Sequence, residues 1–330
     1  MKITIIKPGA LTSIQDQGRS MGRKEGVPTS GTMDQLSAAL ANSAVGNDRD
    51  SAVIEFTYAH ASFRAETDIL IAHAGYGAVL EVNGKDIPPR RPVFILAGTV
   101  VSLKASEVGV RSYLAIAGGW QVPAILGSKS TYLPGGFGGY QGRLLKKGDM
   151  LAHCPKLSAP SKTILEKLSG DQLNFPSWGI VFPKFALSKH IRVVPAHEFT
   201  WFDSTSILYF LSLPFALSNQ SDRMGLRFDG PIMNRLQQKE MLSTAVTMGT
   251  IQVTGSGELI ILMADGQTTG GYPRIAQVAA IDLPQCAQLR PNQQVFFKEI
   301  SQEVAEKLYL EQENYLRQLQ ATIVHQLYKQ

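Results

Sequence analysis

Short apolar runs rich in β-branched residues recur through the first half of the chain, each bounded by glycine, proline or asparagine. Several such runs at a spacing of about ten residues favour a β-sandwich or β-barrel over alternating βαβ units. The Asn83-Gly84 pair directly follows one run and predicts a tight hairpin. The strands predicted in this half are Ile3–Ile6, Ile69–Ala72, Ala78–Val82, Val93–Leu96, Thr99–Leu103 and Tyr113–Ala117.

Strand-like runs resume in the second half, which is therefore also predicted to be mainly β. The stretch between Asp203 and Asp222 carries no charge. Its apolar part, Ile207–Leu217, contains Pro214 and is about half the length that crosses a membrane, so it is interpreted as buried strand. The strands predicted in this half are Ile191–Val194, Leu208–Leu213, Thr250–Val253 and Leu259–Met263.

Helical signals appear in three places. Apolar residues at helical spacing follow Asp34, whose carboxylate can cap the first turn of a helix that ends near Gly46. Pro273 is placed to open a second helix as its first residue. Apolar residues then recur every three or four positions from Val304 to Leu327 among Glu, Gln and Lys, which predicts an amphipathic helix. We expect this helix to pack on its own domain or on a partner.

A length of 330 residues is enough for about two domains. Between Pro155 and Lys189 the composition shifts to serine, lysine and proline with little periodicity, which is typical of a connection between domains. We therefore predict a first domain at 1–155, a connecting segment at 156–189, a second domain at 190–300, and the C-terminal amphipathic helix at 301–330.

Charge and cysteine content narrow the class of protein. The chain carries 32 Lys and Arg against 27 Asp and Glu, a net charge of +5, but the basic residues are scattered and form no compact phosphate-binding stripe. Nucleic acid is therefore not an expected partner. Cys154 and Cys286 lie far apart, which argues against a zinc site or a disulfide scaffold and suits a reducing cytoplasm. The run Ile3–Ile6 is too short for a signal peptide, and no membrane association is expected.

Familiar short motifs are missing or incomplete. No phosphate-binding loop of the form G-x-x-x-x-G-K-[ST] occurs, and His197-Glu198 begins like H-E-x-x-H but Trp201 stands at its last position. The histidines form no ligand pair, so no metal ligand set is predicted. His73, in an apolar strand, is interpreted as a hydrogen-bonded core residue. The run Gly135–Gly142 is either a backbone cradle for an anion or a flexible loop.

Polar residues and glycines form three dense blocks beside predicted strands, where loops on a rigid scaffold commonly carry chemistry. The first block runs from Gln15 to Arg19 and continues from Gly26 to Asp34, the second covers Ser221–Gly225, and the third covers Asp265–Pro273. The candidate catalytic residues are Asp16, Arg19, Arg223 and Asp265, and the candidate substrate-binding residues are Ser30, Asp34, Gln267, Thr268, Thr269, Gly270, Gly271 and Tyr272.

The residue types in these blocks suit charge neutralisation and amide recognition. A guanidinium fork fits a carboxylate or phosphate, so Arg19 and Arg223 are assigned to charge neutralisation, and Asp16 and Asp265 to orienting groups or proton acceptors. The hydroxyls and amide of the third block, with a helix N-terminus, suit an anion or an amide. Each block also has a structural interpretation: Asp-Arg pairs that lock turns, Asp34 as a helix cap, and an elaborate turn in the third block.

Together with four further motifs, these blocks closely resemble the biotin-dependent carboxyltransferase family, in order from about residue 2 to about residue 300. The four motifs are Ala41–Asn47 (ANSAVGN), Arg111–Gly119 (RSYLAIAGG), Leu126–Thr131 (LGSKST) and Gly142–Asp149 (GRLLKKGD). The family includes the C subunit of 5-oxoprolinase, allophanate hydrolase subunit 2 and the carboxyltransferase segment of urea carboxylase.

The resemblance implies a mainly β fold with peripheral helices, built from two cyclophilin-like β-barrel domains. It also implies direct binding to the B subunit of 5-oxoprolinase and assembly with the A subunit, in a complex that opens 5-oxo-L-proline to L-glutamate with ATP as co-substrate. One departure stands at Ala196-His197-Glu198, where the family commonly has a glycine-proline turn followed by an acid or a glutamine. The acidic position is kept and the turn is not.

Two other functions stay open at this stage. The first is the carboxyltransferase component of a biotin-dependent urea or amide carboxylase, although this chain contains no carrier-lysine context for biotin. The second is a regulatory binding protein that antagonises a kinase inhibitor resembling the B subunit. The regulatory function predicts that changes in the polar blocks leave binding to the B subunit intact and cause no catalytic loss.

Overall fold

The computed structural model describes residues 1–181, 188–236 and 241–329, apart from the side chains of 320, 321 and 324–329. Two sequence predictions fall partly outside this set. Residues 182–187 of the predicted connection and Gln330 of the predicted C-terminal helix lie outside the described residues, as does the side chain of Leu327.

The chain clusters into two compact units. The first comprises Met1–Arg19, Ser30–Phe182 and Asn314–Gln330, and the second comprises Ser20–Thr29 and Pro183–Glu313. Each unit therefore draws on residues from both halves of the sequence, which the contiguous boundaries predicted at 155 and 190 do not anticipate.

Strands β1 to β11 of the first unit form an antiparallel β-sandwich. They are β1 Lys2–Lys7, β2 Leu11–Gln15, β3 Val53–Thr57, β4 Ala61–Ala65, β5 Ile69–Gly75, β6 Ala78–Val82, β7 Lys85–Ile87, β8 Pro92–Ile95, β9 Val100–Ala105, β10 Arg111–Ile116 and β11 Met150–Ala152. One sheet has the order β11-β1-β4-β9-β6-β7 and the other β2-β3-β10-β5-β8. Ile5 and Phe63 from the first sheet share one core with Ile54 and Leu114 from the second. All six strands predicted in this half are confirmed.

The Asn83-Gly84 hairpin is confirmed in its details. Strands β6 and β7 pair with Val82 opposite Lys85, so these two residues alone form the loop. Both have positive φ angles, 52° for Asn83 and 76° for Gly84. Such angles match the right-handed twist of the flanking strands, and Asn and Gly adopt them at low cost.

The helices are α1 Gln35–Ala44, α2 Ala159–Leu168, α3 Ser204–Ser212, α4 Leu283–Ala287 and α5 Gln302–Lys329, with single 3-10 turns at Arg23–Glu25, Phe199–Trp201 and Ala280–Asp282. The helix predicted after Asp34 is confirmed: the Asp34 carboxylate accepts the Ser37 backbone N–H at 2.8 Å and caps α1. The C-terminal amphipathic helix is also confirmed as α5.

A second core covers the outer face of the five-stranded sheet. Leu40 of α1 and Ile164 of α2 pack there with Tyr113 of β10, and Leu316 and Ile323 of α5 join them. This sheet is therefore buried on both faces. The segment predicted as an irregular connection, 156–189, thus contains a helix with a buried side chain, because Ser158 caps α2 and its apolar face fits this core.

The second unit is built around a closed β-barrel. Its strands are β12 His190–Pro195, β13 Phe215–Leu217, β14 Gly225–Asp229, β15 Thr244–Ala245, β16 Thr250–Val253, β17 Leu259–Leu262, β18 Thr269–Gly270, β19 Arg274–Val278 and β20 Gln294–Glu299. The barrel order is β12-β19-β16-β17-β14-β13-β20, while β15 and β18 pair separately. Closure comes from a parallel pairing of β12 with β20. The chain is thus mainly β with few helices, as predicted.

Two predictions in the second half are wrong. The segment Ile207–Leu217, predicted as buried strand, is mostly helix α3, because Asp203 caps it by accepting the Ser206 N–H and Phe210 stacks on Phe297 of the barrel. The helix predicted to open at Pro273 is strand β19. It pairs with both β12 and β16, so barrel closure prevails over the local preference of proline for a helix start.

No helix among the described parts of the chain combines the length and the hydrophobicity that a membrane crossing requires.

His73 on β5 is buried as predicted, but neither ring nitrogen has a hydrogen-bond partner among the described residues, so the prediction of a hydrogen-bonded histidine is wrong. Burial, with a smaller contribution from the Arg90 charge, lowers the pKa of His73 to about 4. The folded protein therefore keeps this imidazole neutral where an unfolded chain would protonate it.

We expect stability to be full above pH 6.5 and to fall as pH decreases toward 4, because only the unfolded state binds a proton at His73 in that window. The loss is of the order of 3 kcal/mol. Urea denaturation at pH 7 and pH 4.5 measures it. His73→Leu should lose much of this pH dependence, whereas His197→Gln, at an exposed position, should retain it. An unchanged dependence in His73→Leu would contradict the assignment.

Candidate functional site

The Asp16 carboxylate organises the first candidate centre, which lies in the first unit. Its Oδ1 accepts hydrogen bonds from the Gly18 N–H at 2.8 Å and from the hydroxyls of Ser128 at 2.6 Å and Ser130 at 2.5 Å. Its Oδ2 accepts the Lys129 N–H at 2.5 Å. Three of these four donors therefore join the loop after β2 to the LGSKST motif, and the fourth, the Gly18 N–H, closes the loop itself. This geometry is that of an orienting group.

Arg19 follows this loop and is fully buried. Its Nη2 donates to the Ser130 carbonyl at 2.5 Å, and its guanidinium lies 5.0 Å from the centre of the Phe137 ring. A cation over an aromatic face is stabilised by the ring quadrupole, most strongly where water is excluded. A buried positive charge is therefore fixed beside the Asp16 loop.

The glycine-rich run Gly135–Gly142 packs against the same motif. A Cβ at Gly138 would collide with the Ser130 carbonyl, and one at Gly139 would collide with the Thr131 hydroxyl. Both glycines also have positive φ angles. Close packing of this loop against the LGSKST motif therefore requires glycine at both positions. The sequence had left two interpretations of the run, a cradle for an anion and a flexible loop, and neither included this packing role.

The second part of the first block places Ser30 and Asp34 in the first unit as well. Asp34 is fully buried and accepts both the N–H and the hydroxyl of Ser37, so it acts as the cap of α1. Ser30 begins a turn whose Thr32 N–H donates to the Asp16 carbonyl at 2.8 Å. The segments around Asp16 and Ser30, predicted as one block, are thus in contact.

The second candidate centre lies in the second unit, where the structure joins two blocks that are far apart in sequence. Arg223 Nε donates to Asp265 Oδ2 at 2.8 Å, and the Asp265 N–H donates to the Arg223 carbonyl at 2.9 Å. Only 11% of the Arg223 side chain and 3% of the Asp265 side chain are exposed. Asp265 therefore fixes the guanidinium of Arg223, as an orienting group would.

A glutamine that the sequence analysis missed connects the rest of the third block. Gln252 on β16 accepts from Gln267 Nε2 at 3.2 Å and donates to the Tyr272 carbonyl at 3.2 Å. A Cβ at Gly270 would lie 2.5 Å from Gln252 Nε2, so the Gln252 amide packs directly on this glycine. The available signal was a polar residue inside the apolar strand run Thr250–Val253.

The remaining residues of the third block differ in exposure. Thr268 is buried and its carbonyl accepts the Val246 N–H at 3.0 Å, while Thr269 on β18 is exposed. Gly271 and Tyr272 are also exposed, Tyr272 to 47%. Thr269 and Tyr272 therefore present polar groups at the surface of this unit. The buried Gln252 side chain holds the same block by hydrogen bonds to Gln267 and to the Tyr272 carbonyl.

In the same unit, Glu198 forms an ion pair. Glu198 is the acidic residue of the Ala196-His197-Glu198 segment, which differs from the turn that the family commonly has. Arg274 Nε and Nη2 each donate to the Glu198 carboxylate at 2.7 Å. Burial by itself raises the pKa of Glu198, but the hydrogen bonds and charge of Arg274 outweigh it and hold that pKa below its usual value. Glu198 thus stays ionised and anchors the start of β19. Arg274 was missed because nothing marks it in the sequence.

Arg23, a third missed residue, lies between the two parts of the first block and belongs to this unit. Arg23 Nη1 donates to the Thr29 hydroxyl at 2.8 Å, and Nη2 donates to the Val246 carbonyl at 2.9 Å. Since the Val246 N–H bonds to Thr268, the segment at 23–29 is tied to the third block. Within the described residues, no group of three or more His, Cys, Asp or Glu side chains is arranged to hold a metal ion.

This chain belongs to the carboxyltransferase domain family, subdomain A and B, whose profile matches residues 25–299. It is 37% identical to the C subunit of 5-oxoprolinase from Escherichia coli over 96% of this chain and 97% of that protein. It is 32% identical to the C subunit of 5-oxoprolinase from Haemophilus influenzae over 97% of this chain and 98% of that protein.

Its fold is similar to that of a larger enzyme. The crystal structure of K. lactis urea amidolyase matches with a TM-score of 0.83 at 31% identity, covering 96% of this chain and 20% of that one. The chain thus corresponds in length to the whole C subunit of a 5-oxoprolinase and to one segment of urea amidolyase.

We expect Asp16→Asn to lower the free energy of unfolding of the first unit by about 3 kcal/mol. In the wild type both carboxylate oxygens accept hydrogen bonds, whereas in the variant an N–H₂ group would face one or more of the same donors. The midpoint of urea unfolding measures the change. Asp86→Asn is the matched control, since 66% of the Asp86 side chain is exposed, and it should shift stability by less than about 0.5 kcal/mol. Equal midpoints for Asp16→Asn and wild type would contradict the organising role.

Proposed function

We propose that this chain acts as the C subunit of an ATP-dependent 5-oxoprolinase, which converts 5-oxo-L-proline to L-glutamate together with the A and B subunits. The observation that carries this proposal is the match to the 5-oxoprolinase C subunit over 96% of this chain and 97% of the E. coli protein. Because the reaction consumes ATP, we place the complex in the cytoplasm. The direct partner is the B subunit.

The chemistry explains why ATP takes part. The amide of 5-oxoproline is a stable lactam, so water opens it slowly. Transfer of the γ-phosphoryl group to the lactam oxygen would create a leaving group. ADP leaves in that transfer, water then adds at the same carbon, and the ring C–N bond breaks to leave γ-glutamyl phosphate. A second water hydrolyses this acyl phosphate to glutamate and phosphate. Such a path needs groups that recognise an amide and groups that neutralise the developing negative charge.

Each of the two candidate centres, taken by itself, contains groups of these kinds. Arg223, oriented by Asp265, and Arg19, held over Phe137, are the charge-neutralising residues. The surface formed by Thr269, Gly271 and Tyr272 suits an anion or an amide. Asp16 orients the loop that precedes Arg19. We further propose that both units are variants of the cyclophilin-like barrel, closed in the second unit and opened into two sheets in the first.

A second candidate function has its own support. The TM-score of 0.83 to urea amidolyase favours carboxyl transfer to urea from a biotin-borne carboxyl group. The match covers 20% of that chain, so this function would require a biotin carboxylase and a carrier in addition to the matched segment. A regulatory role against a kinase inhibitor resembling the B subunit predicts tight binding to that subunit without turnover.

Reconstitution tests the function directly. The isolated chain should show negligible 5-oxoproline-dependent ATP hydrolysis, and activity should appear when the A and B subunits are added. Phosphate release and glutamate formation, followed together, measure the reaction. Turnover of urea with bicarbonate and a biotin carrier would favour the second candidate, and tight binding to the B subunit without any turnover would favour the regulatory role.

Thr269→Val separates a catalytic from a structural role of the third block. We expect the turnover of the reconstituted complex to fall by about 10² to 10³, the usual cost of losing one donor aimed at transition-state charge. The melting temperature should hold, because Thr269 is exposed. Thr205→Val, at another exposed position in the same unit, is the control. Unaltered turnover per folded molecule would remove Thr269 from the site. Asp265→Asn is a poorer probe, since it also breaks the buried ion pair with Arg223.

A further inference from the structure

Two hydroxyls in the first unit are buried without any hydrogen-bond partner among the described residues. They are Ser30 Oγ, in a residue 2% exposed, and Thr32 Oγ1, in a residue that is fully buried. A buried hydroxyl left unpaired costs about 1 to 3 kcal/mol, so such groups are rare in folded proteins. Two of them within three residues call for an explanation.

The same turn also holds an unfavourable backbone conformation. Ser30 has a φ of 52°, in the left-handed region that a residue with a side chain rarely adopts. Gly31 follows with a φ of 91°, and a Cβ there would lie 2.8 Å from the Gly18 nitrogen. The turn is therefore pressed against the Asp16 loop. Strained residues of this kind persist where the surroundings enforce them and concentrate at ligand sites.

The charged side chains near the turn Ser30–Thr32 limit the charge of a ligand group that could bind to its hydroxyls. Asp16 and Asp34, on either side, are already engaged by donors, and Glu55 accepts the Met33 N–H at 2.9 Å. These carboxylates disfavour an anion in the turn.

A neutral amide matches this combination. A hydroxyl can donate to a carbonyl oxygen and accept from an amide N–H, so two hydroxyls can pair with both ends of one amide. A lactam and urea both contain this group. We infer that the turn Ser30–Thr32 binds the amide of the substrate, with Ser30 and Thr32 as its hydrogen-bonding residues. The turn must open for entry, since both hydroxyls are shielded in the free chain.

This inference rests on the proposed function in taking an amide as substrate, but binding can be tested apart from turnover. Thr32→Val keeps the side-chain shape and removes the hydroxyl. Ser30→Gly removes the other hydroxyl and suits a positive φ. Ser43→Ala on α1 is the matched control, because Ser43 Oγ is likewise buried without a partner among the described residues.

Two measurements on the reconstituted complex decide the question. Calorimetric titration gives Kd for 5-oxo-L-proline, for 2-pyrrolidinone, which has the lactam alone, and for L-proline, which has the carboxylate and a ring ammonium in place of the lactam. Thr32→Val and Ser30→Gly should each weaken binding of both lactams roughly tenfold, the worth of one hydrogen bond, and leave L-proline unaffected. The melting temperature of the chain should hold or rise, since no bond within the fold is lost. Ser43→Ala should leave every Kd unchanged.

The outcomes separate this inference from the proposed function. Unchanged lactam binding in both variants, or no lactam binding by the wild-type complex, would overturn the inference. A lower melting temperature in Thr32→Val would overturn it as well, because the hydroxyl would then have a partner in the fold. Hydroxyl-dependent binding of 2-pyrrolidinone by a complex that does not hydrolyse 5-oxoproline would support the inference and contradict the proposed function.

Discussion

The first candidate centre depends on the hydrogen bonds that the buried Asp16 carboxylate accepts. A charge taken out of water must be compensated by hydrogen bonds, or the fold loses several kcal/mol. Asp16 meets that requirement with donors from its own loop and from Ser128, Lys129 and Ser130. The same bonds fix the path of the chain into Arg19. The positions of Ser128, Lys129 and Ser130 beside this loop follow from the satisfaction of one negative charge.

The second unit meets the same requirement with paired charges. Arg223 with Asp265, Glu198 with Arg274, and Arg192 with Asp282 are ion pairs whose acidic members are almost fully buried. Such pairs add little net stability compared with apolar residues, but breaking one is costly because it leaves a charge buried alone. They therefore specify which segments meet around the barrel.

The sequence predicts the parts of the fold whose causes are local. The Asn83-Gly84 hairpin and the helix capped by Asp34 each depend on residues within a few positions, and both were found. Helix α3 was missed because its exposed face carries Leu208 and Tyr209, which makes the segment apolar all round and hides the period set by Ser206 and Phe210. Strand β19 was missed because its pairing partners are remote in sequence.

Candidate residues could be named from the sequence, but their partners could not. Arg223 and Asp265 meet because β14 pairs with β17, so the residue before one strand lies beside the residues after the other. No local signal reports that pairing. Arg274 was missed for the same reason, whereas Gln252 had a local signal as a polar residue inside the strand run Thr250–Val253. The Ser30 conformation was equally invisible, since nothing local distinguishes a serine at positive φ from one in an ordinary turn.

The parallel pairing of β12 with β20 has a consequence for synthesis of the chain. These are the first and last strands of the barrel, so the seam cannot form until the ribosome has released residues near Glu299. Until then the nascent barrel has two open edges, and exposed edges recruit other strands. Contacts of such long sequence separation also form slowly. The newly made chain thus passes through an interval with exposed strand edges, and that interval ends only when the last strand closes the ring.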